Sequence, residues 1–364
     1  MDRKFYQRLS LAALLLCFVV VTLGAYVRLS DAGLGCPDWP GCYGHLVGVP
    51  DTEHQVATAE SAYPERPVET AKAWKEVIHR YAAGTLGLLI LGMFLITLFR
   101  GRRIGISPLL PGLLCGLVLF QALLGMWTVT LLLKPAIVTA HLLGGMTILA
   151  LLLLAVLKAS AVKEKQPTQR FAGREPRNER EAMQALRATD TSAPIPAAVR
   201  GVGVLAPLVL LLLIGQLFLG AWTSSNYAAL ACPDLPTCQG SLWPETDFEE
   251  AFMLWRGLGV NYEFGVLDSA ARATIHVMHR IGAITVTVFA IWLMALLWRS
   301  TGRWRHYAVL VGVTLLLQLS IGIAIVIQQL PLPLAVAHNG GAALLLLALV
   351  ATNYRVWRLR HATN

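Results

Sequence analysis

The sequence is 364 residues long, 56% hydrophobic and only 14% charged, with a mean hydropathy of +0.60. A soluble domain carries roughly 25% charged residues, so an ordinary cytosolic enzyme and a disordered protein are both excluded, and a helical protein with several membrane spans is indicated. The formal charge of +9 is not the mark of a nucleic-acid binder: Lys and Arg cluster at the ends of apolar runs, as orientation signals do, and no basic patch interleaves with aromatic residues.

In chain order, eight apolar stretches are long enough to span a bilayer, at 9–28, 76–99, 107–131, 136–158, 202–223, 272–298, 307–329 and 334–356. The first has no small-residue cleavage site and is read as a helix, not a signal peptide; the start Met-Asp-Arg-Lys is too short for an organelle transit peptide. A bacterial plasma membrane is the simplest location. Arg3 and Lys4, then Arg100, Arg102 and Arg103, the basic 159–200 segment, Arg299, Arg303 and Arg305, and finally Arg355, Arg358 and Arg360 belong to the cytoplasmic side. The alternate loops, 29–75 and 224–271, are rich in Asp and Glu and face outward. Both termini are expected in the cytoplasm. Residues 159–200 are polar, charged and Pro-containing and read as a cytoplasmic linker with at most a short helix near 178–187.

The two sides of that linker resemble each other at an offset of 196 to 200 residues. GAYVRLSDAGLGCPDWPGCYG at 24–44 matches GAWTSSNYAALACPDLPTCQG at 220–240, and EVIHRYAA at 76–83 matches HVMHRIGA at 276–283. FQALLGMW at 120–127 matches LQLSIGIA at 317–324, and AHLLGG at 140–145 matches AHNGGA at 337–342. The expected fold is therefore all-α and membrane-integral: two tandem four-helix bundles in a parallel repeat, over 1–158 and 201–364.

Four of the nine histidines stand at matching positions inside spans: His79 and His141, then His279 and His338. Each lies a few residues inside the outer end of its span, roughly 5–8 Å below the surface. A single intramembrane histidine is commonly a hydrogen-bonded core residue; four at one depth, repeated, point to function. Zinc needs four donors, or three and water, and no carboxylate or thiolate accompanies both pairs. Haem iron needs two axial ligands in an apolar slot with room for a flat ring. Gly84, Gly87, Gly144 and Gly145 in one half, and Gly282, Gly340 and Gly341 in the other, can supply that room. Arg80 and Arg280 follow two of the histidines and can either pair haem propionates or reach the interface as ordinary snorkelling cations.

Glu76 shares a helix face with His79 three residues on, and the second half has His276 in its place. A carboxylate at only one site suggests proton abstraction or stabilisation of positive charge on a substrate; an interfacial Glu favoured by the helix dipole is the plainer account. Cys36 and Cys42, and Cys232 and Cys238, form two Cys-x5-Cys loops just after a span. On an oxidising face a disulfide is the default for each pair, either as a staple or as a redox-active couple. Cys17 and Cys115 lie within spans and read as packing residues.

Taken together, Glu76-Val-Ile-His79-Arg80, the two Cys-x5-Cys loops, the histidines of spans four and eight and the duplicated eight-span plan resemble the haem A synthase family. The resemblance runs from about residue 10 to 356, outside the linker. It implies oxidation of the C8 methyl of haem O to a formyl group, giving haem A for terminal oxidases. It further implies a haem b cofactor on His279 and His338, haem O as substrate at His79 and His141, and Glu76 as the essential carboxylate. The Cys36–Cys42 pair would take part in turnover, and Cys232–Cys238 would be structural. Haem O synthase and terminal-oxidase assembly factors are the implied partners, beside the bilayer, with a homo-oligomer compatible and nucleic acid not expected. The competing readings are a di-haem b electron-transfer cytochrome and a haem transporter or chaperone.

Overall fold

A computed structural model of the chain describes residues 3–161, 197–300 and 303–360. It is all-helical apart from two isolated β-bridges. The helices are α1 (Arg3–Leu29), α2 (Glu53–Ala62), α3 (Thr70–Ile104), α4 (Leu109–Thr130), α5 (Pro135–Ala161), α6 (Ala197–Ser225), α7 (Phe248–Ala251), α8 (Ser269–Arg299), α9 (Trp304–Ile327) and α10 (Leu332–Arg360). All but α2 and α7 are long and apolar enough to cross a membrane, with apolar windows of mean hydropathy 1.9 to 2.6. Large side chains at their middles, such as Leu88, Leu119, Leu211 and Leu316, are 64% to 70% exposed. A helix that is apolar on all faces puts such residues against lipid tails.

The helices run past the ends expected from hydropathy. The second span begins at Thr70, not at 76, and continues to Ile104. At 1.5 Å per residue its 35 residues reach about 52 Å, well over the roughly 30 Å hydrocarbon layer. Hydropathy sees only the part in the layer, whereas hydrogen bonding carries the helix on until a capping residue stops it. For α3 that residue is Gly105, left-handed at φ 70°, whose N–H bonds Gly101 O. Pro135 opens α5, and Asp268 caps α8 by accepting from the Ala271 N–H at 2.8 Å. The segment between α1 and α3 holds an unexpected helix, α2, started by a capping box between Thr52 and Gln55. The expected 159–200 linker, with its short helix near 178–187, falls mostly on 162–196, outside the described residues; 159–161 and 197–200 belong to α5 and α6.

Packing follows two closed rings. Helices α1, α3, α4 and α5 touch in that cyclic order, as do α6, α8, α9 and α10. The rings join through α1 against α10, α5 against α6, and α5 against α10. One apolar core runs through this junction, including Leu149, Leu152, Val209, Leu213 and Leu349. Gly340 lets α10 approach α1 closely, since a Cβ there would meet Thr22 at 3.2 Å. In each ring the two histidine-bearing helices, α3 with α5 and α8 with α10, stand at opposite corners.

Candidate functional site

The two Cys-x5-Cys segments form disulfide-closed loops, Cys36–Cys42 and Cys232–Cys238, with Cα–Cα distances of 4.8 and 4.4 Å. Each carries a cis Xaa-Pro bond, at Trp39-Pro40 and Leu235-Pro236. Asp38 accepts from the N–H groups of Tyr43 and Gly44 at 2.6 and 2.8 Å. Asp234 does the same for Gln239 and Gly240 at 2.7 and 3.0 Å. The Thr237 hydroxyl and these amides hold the Asp234 carboxyl down at about 2.

Each loop lies over one half and meets the helix that begins the site below it. Glu76 of α3 is only 5% exposed. Its Oε2 accepts from the Cys36 N–H at 3.0 Å, and its Oε1 pairs with Arg80 Nη2 at 2.6 Å. Arg80, one helical turn on, also donates to the carbonyls of Asp38, Pro40 and Gly41. In the second half His276 replaces the carboxylate, with Nδ1 at 3.4 Å from Cys232 N and 3.1 Å from Ala228 O. Arg280 donates to Thr237 O and Cys232 O, both at 2.8 Å. Both arginines expected to face propionates are thus engaged by loop carbonyls.

A cavity of about 500 Å³ opens beneath the first loop. Glu76, Arg80, His79 and His141 all line it, so the structure brings the predicted first-half residues together. Its wall is otherwise chiefly apolar and includes Gly24, Gly84, Gly87 and Gly125. Gly84 faces open space, as the expected need for room requires. The cavity is not confined to one half: Ala221, Ser224 and Asn339 also line it. Asn339 is the residue after His338, and its Oδ1 is buried without a partner among the described residues.

The four histidines share a setting. The ring edge of each rests on a glycine of a neighbouring helix, where a Cβ would lie 3.0 Å from His79 Cε1 (Gly24), 3.3 Å from His141 (Gly125), 3.2 Å from His279 (Gly220) and 3.0 Å from His338 (Gly322). Three glutamines stand beside them. Gln216 Nε2 lies 3.0 Å from both His279 Nδ1 and His279 O, Gln318 Nε2 lies 3.2 Å from His338 Nε2, and Gln121 donates to His141 O.

These arrangements fit haem. Among the described residues no three His, Cys, Asp or Glu side chains converge as ligands for a free metal ion. Each ring instead offers two imidazoles from helices at opposite corners, the number of protein ligands a haem iron would take. Nδ1 of His79 and of His141 are buried and unpartnered, which is costly unless a ligand organises the site.

Sequence reasoning missed several contributors. Arg28 lines the cavity, donates to Ser224 O at 2.8 Å and stacks 4.1 Å over the Tyr227 ring, while its Nε is buried without a partner. At the end of an apolar run it reads as an ordinary interfacial cation. Lys134, 2% exposed, is covered by the loop between α7 and α8: its ammonium lies 3.0 Å over the Trp255 ring and donates to Gly257 O. The same loop pairs Glu263 with Arg66 at 3.4 Å and Tyr262 N–H with Leu132 O at 3.1 Å. No local motif announces such cross-half contacts. The glutamines had a signal, a Gln four residues before a glycine in three spans.

Comparison with known proteins is consistent across the chain. A family described as cytochrome oxidase assembly protein matches residues 7–350. A haem A synthase of Shewanella oneidensis is 45% identical over 96% of both chains. The haem A synthase of Mesorhizobium japonicum is 27% identical over 94% of this chain and 87% of its own, and that of Alkalihalophilus pseudofirmus is 24% identical over 82% and 77%.

Proposed function

The chain belongs to the haem A synthase family of cytochrome oxidase assembly proteins, and from that premise we propose that it oxidises the C8 methyl of haem O to the formyl group of haem A, with the first half as the reaction site. One observation carries the assignment of halves: Glu76 is fixed at the cavity that holds His79 and His141, whereas the equivalent place in the second half is occupied by His276.

In this reading His79 and His141 hold the substrate iron, and His279 and His338 hold a resident haem b. That haem supplies one-electron chemistry when bound. The chain's own residues do the rest. Converting a methyl to a formyl group takes two successive two-electron oxidations and one oxygen atom; with water as the oxygen donor, four electrons pass to an acceptor outside the chain and four protons leave, two of them from the methyl carbon. Glu76 accepts a proton from the methyl carbon or stabilises positive charge developing there. The Cys36 N–H and the Arg80 guanidinium hold both carboxylate oxygens, so the group is preorganised and not free to rotate away. Arg28 and Asn339, each with a buried polar atom that has no partner among the described residues, offer the cavity's polar contacts for the substrate's acidic or hydroxyl groups.

The two rings of helices, the paired cystine loops and the paired histidine seats support a tandem parallel repeat, 1–158 and 201–364. The basic ends of α3, α8 and α10 support placing that side and both termini in the cytoplasm of a bacterial plasma membrane. The cystine loops then face outward, where oxidation is favoured. Haem O synthase and terminal-oxidase assembly factors are the partners this activity implies.

The test is pigment extraction and chromatography from membranes expressing the chain with and without a haem O supply. Haem A appearing only with the supply supports the proposal. Haem b alone under both conditions would assign an electron-transfer cytochrome instead, and haem O passing through unchanged would assign a carrier.

A further inference from the structure

Three of the four histidine seats are built to one plan. A glutamine stands four residues before the seat glycine, and a second glycine stands three residues after the histidine. The sets are Gln121 and Gly125 against His141 and Gly144, Gln216 and Gly220 against His279 and Gly282, and Gln318 and Gly322 against His338 and Gly341. The second glycine makes room for the amide: a Cβ at Gly144, Gly282 or Gly341 would collide with the Oε1 of Gln121, Gln216 or Gln318 respectively. Each amide bonds its histidine, at the ring or at the main-chain carbonyl.

The fourth seat breaks the plan at both variable positions. His79 keeps Gly24, but Val20 stands where the glutamine would be and Ala82 where the second glycine would be. No amide reaches His79, whereas Gln121 holds the main-chain carbonyl of His141; the difference lies in that amide contact, since Nδ1 of His79, His141 and His338 alike has no partner among the described residues. Groups that hold a metal-ligating histidine in place fix its orientation, and losing one typically weakens metal binding by roughly 10–100-fold; at His141 that hold is on the main chain of the residue, through Gln121. Ala82 lies on α3, the helix that carries Glu76, and Val20 on α1 beside it, so the break falls in the half where substrate must enter and product must leave.

We propose that His79 is the releasable ligand of the first site, made so by Val20 and Ala82, and that His141 is its anchor. This rests on the ligand assignment given above and goes beyond it, because that assignment treats the two imidazoles alike. The second site, with amides at both histidines, retains its haem. The first lets go of one side, and exchange proceeds without pulling two strong ligands apart at once.

The experiment uses the full chain purified with haem in both halves, reduced with dithionite and exposed to carbon monoxide, which takes a ligand position only where an imidazole leaves. The wild type is expected to bind carbon monoxide at the first site and not at the second. His79→Ala is expected to keep the first-site haem in a five-coordinate, high-spin spectrum, and His141→Ala to lose it. The double variant Val20→Gln with Ala82→Gly is expected to keep a six-coordinate spectrum and slow carbon monoxide uptake about tenfold or more. Equal haem loss in the two histidine variants, or unchanged uptake in a haem-loaded double variant, overturns the proposal. A first-site haem indifferent to both histidine substitutions overturns the ligand assignment itself, a separate and recognisable failure. The second-site haem reports folding in every variant, and the histidine pair decides alone if the double variant does not fold.

Discussion

The main-chain N–H of Cys36 donates to Glu76 Oε2 at 3.0 Å. A half-cystine and the proposed reacting carboxylate are therefore one hydrogen bond apart, and the loop's closure sets where that carboxylate points. Arg80 closes the arrangement from the other side, joining Glu76 Oε1 to three carbonyls of the same loop.

Replacing Glu76 by Gln keeps the size and one acceptor oxygen but removes the charge and the basic site. We expect Glu76→Gln to retain haem in both halves and to lose haem A formation by at least about 100-fold, within the range removed with a general base. Chromatography of extracted haems measures it, and near-normal haem A would remove the carboxylate from the reaction.

The Cys36–Cys42 bridge should matter to activity through Glu76. Opening it frees the Cys36 N–H, and a hydrogen bond to a charged group is worth about 1.5–3 kcal/mol. Cys36→Ser with Cys42→Ser is expected to lower haem A formation by roughly 10–100-fold while haem content holds. Cys232→Ser with Cys238→Ser, whose loop meets His276 and no carboxylate, should lower it much less. Equal losses would make both bridges plain staples.

His279→Ala and His338→Ala are each expected to abolish the six-coordinate haem b absorption of the second half and leave first-half haem binding in place. An unchanged spectrum in either variant would refute that ligand pair.

The second cystine loop should respond to acid. The folded Asp234 carboxyl is depressed to about 2 from an ordinary 3.8 by Thr237 and the Gln239 and Gly240 amides. A depressed carboxyl contributes stability above its unfolded value and loses it as pH falls through the folded one. Protection of the Gln239 and Gly240 amides from hydrogen exchange should be full above about pH 4 and fall between there and about 2. In Asp234→Asn that pH dependence should vanish; if it persists, the carboxyl is not its source.

Much of this was legible in the sequence. The spans follow from the 18-residue apolar requirement, and the cystine loops from their paired Cys-x5-Cys spacing. His79, His141 and Glu76 do meet at one cavity because they occupy the same ends of helices that share a ring. Helix ends were misjudged where hydrogen bonding outlasts hydropathy, as at Thr70. Arg80 and Arg280 bond loop carbonyls 39 to 48 residues away in sequence, a closure that no local pattern encodes. Lys134 is buried by a loop more than a hundred residues on, which depends on how the two rings dock.

His338 and Asn339 are consecutive residues of α10, yet the first belongs to the second half's histidine pair and the second lines the first half's cavity. Helix α10 thus forms part of the partition between the two proposed centres. With haem held at both histidine pairs, electrons would cross that partition by tunnelling, with no diffusing shuttle, inside one polypeptide. Halves produced as separate chains would regain turnover only by re-forming the α1–α10 seam.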